Sequence, residues 1–461
     1  MDKLTETEQR KEPFFTKDRS FYRTLFTLLI TLSLQSLIAY SVNMADNIML
    51  GSYSQPALSG AAAVNQIFFI VQQLTLGISD GLVVIAAQYW GEGRTSPIRR
   101  LTGTALKFGF ICSVIIIAIC ALFPVQLLGL FTTDAQIIAE GKAYLSIIQY
   151  TFLFFMMTQV LMAALRSVEV VKISFYISIV SLIVNVCINF TLIFGRFGLP
   201  EMGIRGAAVG TLTARILEFV IILFYALRVD KRLNLFSESV LKEDPDLRRD
   251  FFRADIPMLL SSVLWAVSVP MQTAILGHLS SDAIAANSVA TTFYQYLKVI
   301  VQAMSAASAV MIGRAIGMGN EARVRSDART LSVIDVGIGL ILGLLLFVLR
   351  GPLLSLYRID DSALILADQL IIIMSIVMVG MAYQMPVSFG IIRGGGDVRF
   401  TMIMNMISTW AIVMPLSFLS AFVWKWPVPL VVIMIQSDQI FKGLPTFLRF
   451  RSYKWIRKLT R

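Results

Sequence analysis

Four side chains with oxygen atoms suited to a small cation lie inside otherwise apolar segments. Asp46 and Asn43 stand three residues apart in the segment SVNMADNIMLG, and Asn185 and Asn189 stand four apart. Each pair shares one face of a helix. If the two helices pack together, one carboxylate and three amide oxygens converge as a candidate sodium site, or as a proton site on Asp46 stabilised by the amides. The alternative for the asparagines is a structural role, in which their side chains form hydrogen bonds that hold neighbouring helices together.

The remaining ionisable groups within apolar segments are few, and each costs about 2.5–3.5 kcal/mol on insertion scales. Asp80 is expected near the middle of the second span, where it either attracts a cationic substrate in a cleft or satisfies a polar neighbour. Lys298 either pairs across the cleft or extends along its helix toward water. Gln272 is the third residue expected at the cleft. Arg215 and Glu218, three residues apart, predict a structural ion pair.

The elements that position these residues are predicted to be membrane-spanning helices. The chain has 461 residues, 56% hydrophobic and 15% charged, with a mean hydropathy of +0.74. Soluble chains carry about 25% charged residues, so lipid is the expected solvent. Apolar runs of about 20 residues predict an all-α integral membrane protein with twelve spans. They fall near 24–49, 57–88, 101–129, 135–163, 173–195, 203–227, 254–277, 284–312, 330–349, 364–391, 400–423 and 427–448.

The charges of the loops predict the orientation of these spans. Lys and Arg concentrate in alternate loops, which places both termini in the cytoplasm. Residues 1–23 are then a cytoplasmic tail, and residues 449–461 a basic cytoplasmic tail. The net charge of +11 follows from this topology and gives no indication of nucleic-acid binding, which needs a basic face on a soluble domain.

The chain is predicted to consist of two related lobes of six helices, residues 24–227 and 254–448. The longest polar stretch, residues 228–253, separates them as a cytoplasmic connector. A shift of the sequence by 226 positions aligns landmarks at equivalent helix ends: Leu50 and Gly51 with Leu276 and Gly277, and Gly91 and Gly93 with Gly317 and Gly319. Six-helix repeats of the same orientation imply a pseudo-twofold axis along the membrane normal, with a central cleft.

Composition argues against an enzyme or a redox protein. The cysteines, at positions 112, 120 and 187, form no CxxC pair, and His278 is the single histidine. No HExxH or P-loop pattern occurs, so no catalytic cluster and no cofactor are expected. The glycine run between Arg393 and Asp397 is interpreted as a flexible cytoplasmic turn. A membrane scaffold or sensor is disfavoured because the connector is too short for a signalling domain.

Several segments together resemble the multidrug and toxic compound extrusion (MATE) transporters of the bacterial type. They are SVNMADNIMLG, AAQYWGEG at 86–93, the block 185–218 and IIRGGGDVRF at 391–400. The resemblance implies a two-lobed, twelve-helix antiporter, monomeric in the bacterial inner membrane, that exports organic cations and other xenobiotics in exchange for sodium or protons. Asp46 corresponds to the family's aspartate on the first helix, and its polar pair on the fifth helix falls on Asn185 and Asn189.

This sequence departs from some members of that family and leaves one related function open. Some members carry an acid on the seventh helix, and residues 256–277 contain none. A lipid-linked saccharide flippase of the same superfamily is the alternative function. It ranks second because such proteins are expected to have a more cationic cleft, and only Lys298 and Arg215 are bases within spans here.

Overall fold

The computed structural model describes residues 13–236, 242, 244–355, 357 and 360–461, and regular structure in this part of the chain is entirely helical. The first half contains α1 (Arg19–Tyr53), α2 (Gln55–Gly91), α3 (Thr95–Leu122), α4 (Pro124–Gly129), α5 (Ala135–Ile148), α6 (Thr151–Ser167), α7 (Lys172–Ile193) and α8 (Ile204–Val229). The second half contains α9 (Pro245–Gly277), α10 (Ser281–Gly317), α11 (Glu321–Leu354), α12 (Asp361–Ile392), α13 (Val398–Val423), α14 (Val428–Gln436), α15 (Asp438–Phe441) and α16 (Gly443–Ser452).

Ten of these helices are long and apolar enough to cross a membrane. The pair α5 and α6, bent by 49°, forms one further broken span among the described residues. The last predicted span, 427–448, is instead divided into α14, α15 and α16. Its breaks fall at Ser437 and at Lys442, three residues before Pro445, which cannot continue the hydrogen-bond ladder.

The helix α9 begins nine residues earlier than the predicted seventh span. Asp244 caps it by accepting hydrogen bonds from the backbone N–H groups of Asp246 and Leu247, and Pro245 takes the first helical position. The charges between 246 and 253 suggested a loop, but they form the exposed first turns of this helix. Asp255 therefore lies well inside α9 and is completely buried.

The internal repeat is visible in the helix boundaries. Both α2 and α10 have 37 residues, and a shift of 226 superposes both ends of one on the other. The hydroxyl groups of Ser54 and Ser280 cap these helices by accepting from the N–H groups of Ala57 and Ala283. The same shift relates the first residues of α3 and α11.

Packing follows the repeat within each half and brings four helices together between the halves. In the first half α1 packs on α7, and in the second its counterpart α9 packs on α13. Between the halves, α2 packs on α9 and α10, and α1 packs on α10. The interface between the lobes is therefore built mainly from the first two helices of each repeat.

The two lobes meet most closely where α2 and α10 end, which we call the closed end. A Cβ at Gly91 would lie 2.1 Å from the carbonyl oxygen of Arg314 and 2.9 Å from the Cα of Gly317. A Cβ at Gly317 would lie 1.9 Å from the carbonyl oxygen of Gln88. Only glycine permits this approach. Because Gly91 and Gly317 are equivalent in the repeat, the pseudo-twofold axis passes close to this contact.

Residues 453–461, which we call the strap, lie across the closed end and touch both lobes. Gln88 of α2 donates to the carbonyl of Arg457 at 3.1 Å and accepts from the N–H of Leu459 at 2.7 Å. Glu92 pairs with Lys458 at 2.9 Å and accepts from Thr460. Arg457 pairs with Asp397, which follows α12, at 3.1 Å.

The glycine run between α12 and α13 is a packed turn, so its interpretation as a flexible turn is wrong. A Cβ at Gly394 would lie 2.7 Å from the Cα of Ala309, and one at Gly395 would lie 2.3 Å from the indole ring of Trp455. Gly396 has a φ of +97°, which side chains rarely adopt. The glycines are needed for room and turn geometry, and they seat a fully buried tryptophan of the strap.

Candidate functional site

The predicted oxygen-rich residues of α1 and α7 form one hydrogen-bonded chain. Nδ2 of Asn189 donates to Oδ1 of Asp46 at 2.6 Å and to Oδ1 of Asn185 at 3.3 Å. Nδ2 of Asn185 donates in turn to the hydroxyl of Thr211 on α8 at 3.2 Å. Asn185 and Asn189 are fully buried. The carboxylate of α1 is thus attached to α7 and α8 through a continuous set of amides.

A small cavity opens on this chain. Its volume is about 30 Å³, and Asp46, Asn43, Tyr144, Thr211 and Arg215 are among its lining residues. This space accommodates a water molecule or a small ion but no drug-sized compound. Asn43 is exposed and lines the cavity, yet its side chain forms no hydrogen bond with the described residues. The chemistry available here is therefore the binding of a small cation or of a proton.

Sequence reasoning missed two polar groups of this site, Thr211 and Tyr144. Thr211 lies four residues before Arg215 on the same face of α8, a spacing that could have indicated it. Tyr144 lies on α5 and is almost completely buried. No local pattern links it to α1, because only the packing of α5 against α2 and α8 brings it to the cavity.

The position of Asn189 depends on a glycine of the neighbouring helix. A Cβ at Gly210 would lie 1.9 Å from Oδ1 of Asn189, so a larger residue would displace the amide. That oxygen is buried and has no hydrogen-bond partner among the described residues. Gly210 thus gives Asn189 the room to direct its Nδ2 at Asp46.

Arg215 and Glu218 form the ion pair that their spacing predicts. The guanidinium Nη1 of Arg215 lies 2.8 Å and 3.1 Å from the two carboxylate oxygens of Glu218. The guanidinium also lies over the ring of Phe155, 5.1 Å from its centre. Because Arg215 lines the cavity as well, this pair contributes to the electrostatic environment of Asp46.

Exposed polar side chains line facing surfaces of α1 and α10, which indicates a water-filled cleft between the lobes. The helices touch where the hydroxyl of Tyr40 lies 3.5 Å from Oε1 of Gln295 and the hydroxyl of Tyr296 lies 3.4 Å from Sδ of Met44. Beyond this contact, away from the closed end, the exposed residues continue along both helices. They are Asn43, Asn47, Ser288 and Thr292. Exposed amides and hydroxyls at this depth favour water over lipid.

Lys298 lies on α10 of the second half, one helical turn closer to the closed end than Gln295. Its Nζ sits over the indole ring of Trp265 on α9, 5.4 Å from the ring centre. The Trp265 ring in turn contacts Phe69 of α2 with 6.0 Å between centres. Gln272 is half-buried on α9, further from the closed end. The structure thus places Lys298 beside two aromatic rings, and a role of Lys298 and Gln272 at the cleft stays a prediction.

Asp80 lies at the closed end between two guanidinium groups. Its Oδ2 lies 2.6 Å from Nη2 of Arg393, at the end of α12, and its Oδ1 lies 3.4 Å from Nη2 of Arg166, at the end of α6. Two roles were predicted for Asp80, attraction of a cationic substrate and pairing with a polar neighbour. This geometry favours the second, because the carboxylate already pairs with two arginines. The contact with Arg393 is an ion pair between the lobes.

Two buried acids in the second half have no hydrogen-bond partner among the described residues. Both carboxylate oxygens of Asp255 on α9 are unpaired, and Oδ1 would lie 2.2 Å from a Cβ at Gly81 of α2. Asp335 on α11 is likewise buried with both oxygens unpaired. Sequence reasoning overlooked Asp255 because it was counted at the boundary between the connector and the seventh span.

A second buried polar network occupies the C-lobe behind Lys298, and we call it the Lys442 network. Nζ of Lys442 lies 2.7 Å from Oδ2 of Asp438 and 2.9 Å from Oδ1 of Asn405. Nδ2 of Asn405 donates to Ser261 of α9 at 3.0 Å. Lys442 itself is 3% exposed. The predictions contained no member of this network, because residues 427–448 were interpreted as one continuous apolar span and the pair Asp438 and Lys442 was not considered.

These features define a polytopic membrane transporter: two repeated helical lobes, a polar cleft between them and a cavity of ionic size in one lobe. A sequence profile of the family described as MatE matches residues 32–191 and 257–419. The chain belongs to this family, which confirms the resemblance found in the sequence. Members of the family are transporters, so the prediction that the protein is not an enzyme is confirmed.

Curated relatives and solved structures agree with this assignment. The probable multidrug resistance protein YoeA of Bacillus subtilis is 25% identical over 420 residues, covering 89% of this chain and 90% of that protein. The probable multidrug resistance protein NorM of Thermotoga maritima is 26% identical over 416 residues, covering 90% of this chain and 89% of that protein. Both alignments therefore span nearly the whole length of each protein.

Two solved structures establish the similarity of the fold. The MATE transporter VcmN of Vibrio cholerae in its bent form superposes with a TM-score of 0.84 at 19% identity, over 95% of this chain and 98% of that one. The eukaryotic MATE transporter AtDTX14 superposes with a TM-score of 0.83 at 18% identity, over 95% and 97% of the two chains. The predicted all-helical, two-lobed fold class is confirmed.

Proposed function

We propose that this protein is a secondary active antiporter that exports amphipathic organic compounds, cationic ones among them, in exchange for sodium ions or protons. The observation that carries the proposal is the chain from Asp46 through Asn189 and Asn185 to Thr211, beside a cavity of about 30 Å³. The naming of relatives as multidrug resistance proteins supports the cargo. Those names favour drug efflux over the flippase alternative.

The donor set of the cavity fits a hard monovalent cation. It offers one carboxylate, Asp46, together with the amides of Asn43, Asn47 and Asn65 and the hydroxyl of Thr211. Sodium prefers oxygen ligands of this kind, and the same carboxylate can instead hold a proton. In the part of the chain that the structure describes, no group of three or more acid, cysteine or histidine side chains is arranged for a metal ion of higher charge.

The coupling mechanism follows from where Asp46 stands on α1. One turn and a half before it, the same helix touches α10 through the Tyr40 and Tyr296 rings, 6.1 Å apart between centres. Binding of a cation at Asp46 changes the hydrogen bonds that hold α1 to α7, and α1 carries that change to the lobe interface. The ion and the organic substrate then stabilise different arrangements of the lobes, which is linkage between two sites.

We further propose that the protein is a monomer of a bacterial inner membrane, with both termini and the closed end facing the cytoplasm. The concentration of Lys and Arg in the tails and alternate loops supports this orientation. The described conformation is then closed toward the cytoplasm. Residues 24–227 and 254–448 act as the two moving lobes, and residues 245–253 of the predicted connector 228–253 move with the second lobe because they belong to α9.

Dye efflux from everted vesicles, with sodium and pH gradients imposed separately, tests both transport and the coupling ion. We expect one of the two gradients to drive efflux in the native protein, and Asp46→Asn to abolish that dependence. Glu321→Gln, which removes an exposed carboxylate at the start of α11, serves as the control and keeps native efflux. Gradient-driven efflux that survives Asp46→Asn would reject the assignment of this carboxylate.

A further inference from the structure

Two ammonium groups, those of Lys298 and Lys442, lie near Asp438, and only that of Lys442 forms a salt bridge with it. Lys442 is paired with Asp438 at 2.7 Å, and this pair is electrically neutral. Lys298, the other ammonium group of this region, forms no salt bridge with any described residue. Asp438 is the charged group that acts on Lys298 through space, and it already has a partner.

An unbalanced ammonium group below the surface of a membrane protein is unfavourable unless something compensates it. The ring of Trp265, 5.4 Å from Nζ, compensates only in part, because a cation–π contact is weaker than an ion pair. The Lys442 network cannot supply a second acid, since its remaining members are the neutral side chains of Asn405, Ser261 and Gln439. No acid of this network is therefore left to pair with Lys298, and a negatively charged group of a bound ligand would be favourable beside it.

The position of Lys298 allows a ligand to supply that charge. The residue is half-buried, and it follows the exposed polar face of α10 toward the closed end. Below it, α2 and α9 come together, where a Cβ at Gly77 would lie 2.9 Å from the Cα of Leu259. Lys298 therefore lies on the side of the cleft nearer the closed end, beside the aromatic rings of Trp265 and Phe69.

We propose that Lys298 and Trp265 form a subsite for the carboxylate and aromatic body of the transported compound, so that the preferred substrates carry an acidic group. This inference rests on the proposed efflux function and specifies its cargo. The ammonium group pairs with the carboxylate, and the flat rings of Trp265 and Phe69 contact the aromatic part. Asp438, which is paired with Lys442, also attracts this ammonium group through space.

A matched pair of dyes separates the carboxylate from the rest of the ligand. Rhodamine 110 carries a free carboxylate, and rhodamine 123 is its methyl ester with the same ring system. Binding is measured by fluorescence anisotropy with the purified full-length protein in lipid nanodiscs, without any ion gradient. We expect the native protein to prefer rhodamine 110, and Lys298→Met to weaken its binding about tenfold or more, as expected for loss of a charge-assisted contact.

The controls identify the cause of that loss. Lys298→Met should leave rhodamine 123 binding within about twofold, because its ester carries no charge to pair. Lys298→Arg, which keeps the charge, should retain most of the rhodamine 110 binding. Lys142→Met, which removes an exposed lysine of α5, should leave both dyes unaffected. Equal losses for both dyes, no loss for either, or no binding of rhodamine 110 by the native protein would each overturn the subsite.

The efflux assay keeps this inference separate from the proposed function. If neither gradient drives either dye while rhodamine 110 still binds in a Lys298-dependent manner, the antiport proposal fails and the subsite stands. If a gradient drives rhodamine 123 efflux and Lys298→Met changes neither dye, antiport stands and the subsite fails. Melting temperatures of all variants exclude unfolding as the cause of lost binding.

Discussion

The ion pair between Asp80 and Arg393 should control how firmly the closed end stays closed. Asp80→Asn keeps the shape of the side chain but removes the charge that faces Nη2 of Arg393 at 2.6 Å. It also leaves Arg166, whose Nη2 lies 3.4 Å from the same carboxylate, without its counter-charge. Of the two ion pairs of Asp80, the one with Arg393 joins the lobes and the one with Arg166 lies within the first lobe. The variant should therefore destabilise the closed arrangement more than it destabilises either lobe.

The magnitude follows from the exposure of the three groups. The side chains of Asp80, Arg166 and Arg393 are 15–27% exposed. This exposure is intermediate between that of a surface ion pair, which contributes about 0–1 kcal/mol, and that of a buried ion pair, whose disruption costs about 3–5 kcal/mol. We therefore take about 2 kcal/mol, which shifts the ratio of closed to open molecules by about thirtyfold. A shift of that size is detectable if the native protein is mainly closed.

Distances between spin labels at the closed end measure this shift. Ser96→Cys and Ala322→Cys place labels at equivalent positions of the two repeats, in a background without the three native cysteines. Asp80→Asn should broaden the distance distribution toward longer values, whereas Asp368→Asn, which breaks an exposed pair within the C-lobe, should not.

A double-mutant cycle of Asp80→Asn with Arg393→Gln isolates the contact itself. The expected coupling energy is about 2 kcal/mol, because both single changes remove the same interaction. An unchanged distance distribution together with a coupling energy below about 0.5 kcal/mol would refute the reasoning.

Three further changes test other features. Asp255→Asn should raise the melting temperature by a few degrees, worth about 1 kcal/mol, because it removes an acid whose oxygens have no described partner; a lower melting temperature contradicts this. Gly395→Ala should displace Trp455 and expose the strap to protease, at a cost of about 1–3 kcal/mol, whereas Gly443→Ala, which has open space, should not. Burial of Glu92 acts against its hydrogen bonds from Thr460, Lys458 and Arg94, but the bonds dominate and lower the pKa of Glu92 below its ordinary 4.5. The contribution of Glu92 to strap docking is therefore present above pH 4.5 and is lost as the pH falls through the lowered pKa. Hydrogen exchange of residues 453–461 should increase only in acid. Glu92→Gln should show the same increase at pH 7.

The long apolar runs were sufficient to predict most of the fold, because lipid leaves few alternatives to a helix. The repeat was also readable, since glycines and serines at helix ends recur at a shift of 226. The twelfth segment was harder, because its polar pair, Asp438 and Lys442, lies in a short broken region whose burial depends on α12 and α13.

The candidate cation site was partly readable from spacing. Asn185 and Asn189 share a face, and the pairing of α1 with α7 that brings them to Asp46 was an assumption of the prediction. Tyr144 comes from an element whose position depends on tertiary packing alone. The role of Asp80 remained open for a related reason: its arginine partners are 86 and 313 residues away in sequence.

The contact of Gly91 with Gly317 has a consequence for how the lobes separate. Two bare backbones meet there, so nothing interlocks, and the surfaces can part or roll over each other without a side chain changing its rotamer. The halves are instead held together by contacts around this point that can break and re-form, namely the ion pairs and the strap. Such a contact suits a protein whose lobes separate and close again in every transport cycle. A methyl group added at either glycine would clash with the backbone of the other lobe and prevent full closure.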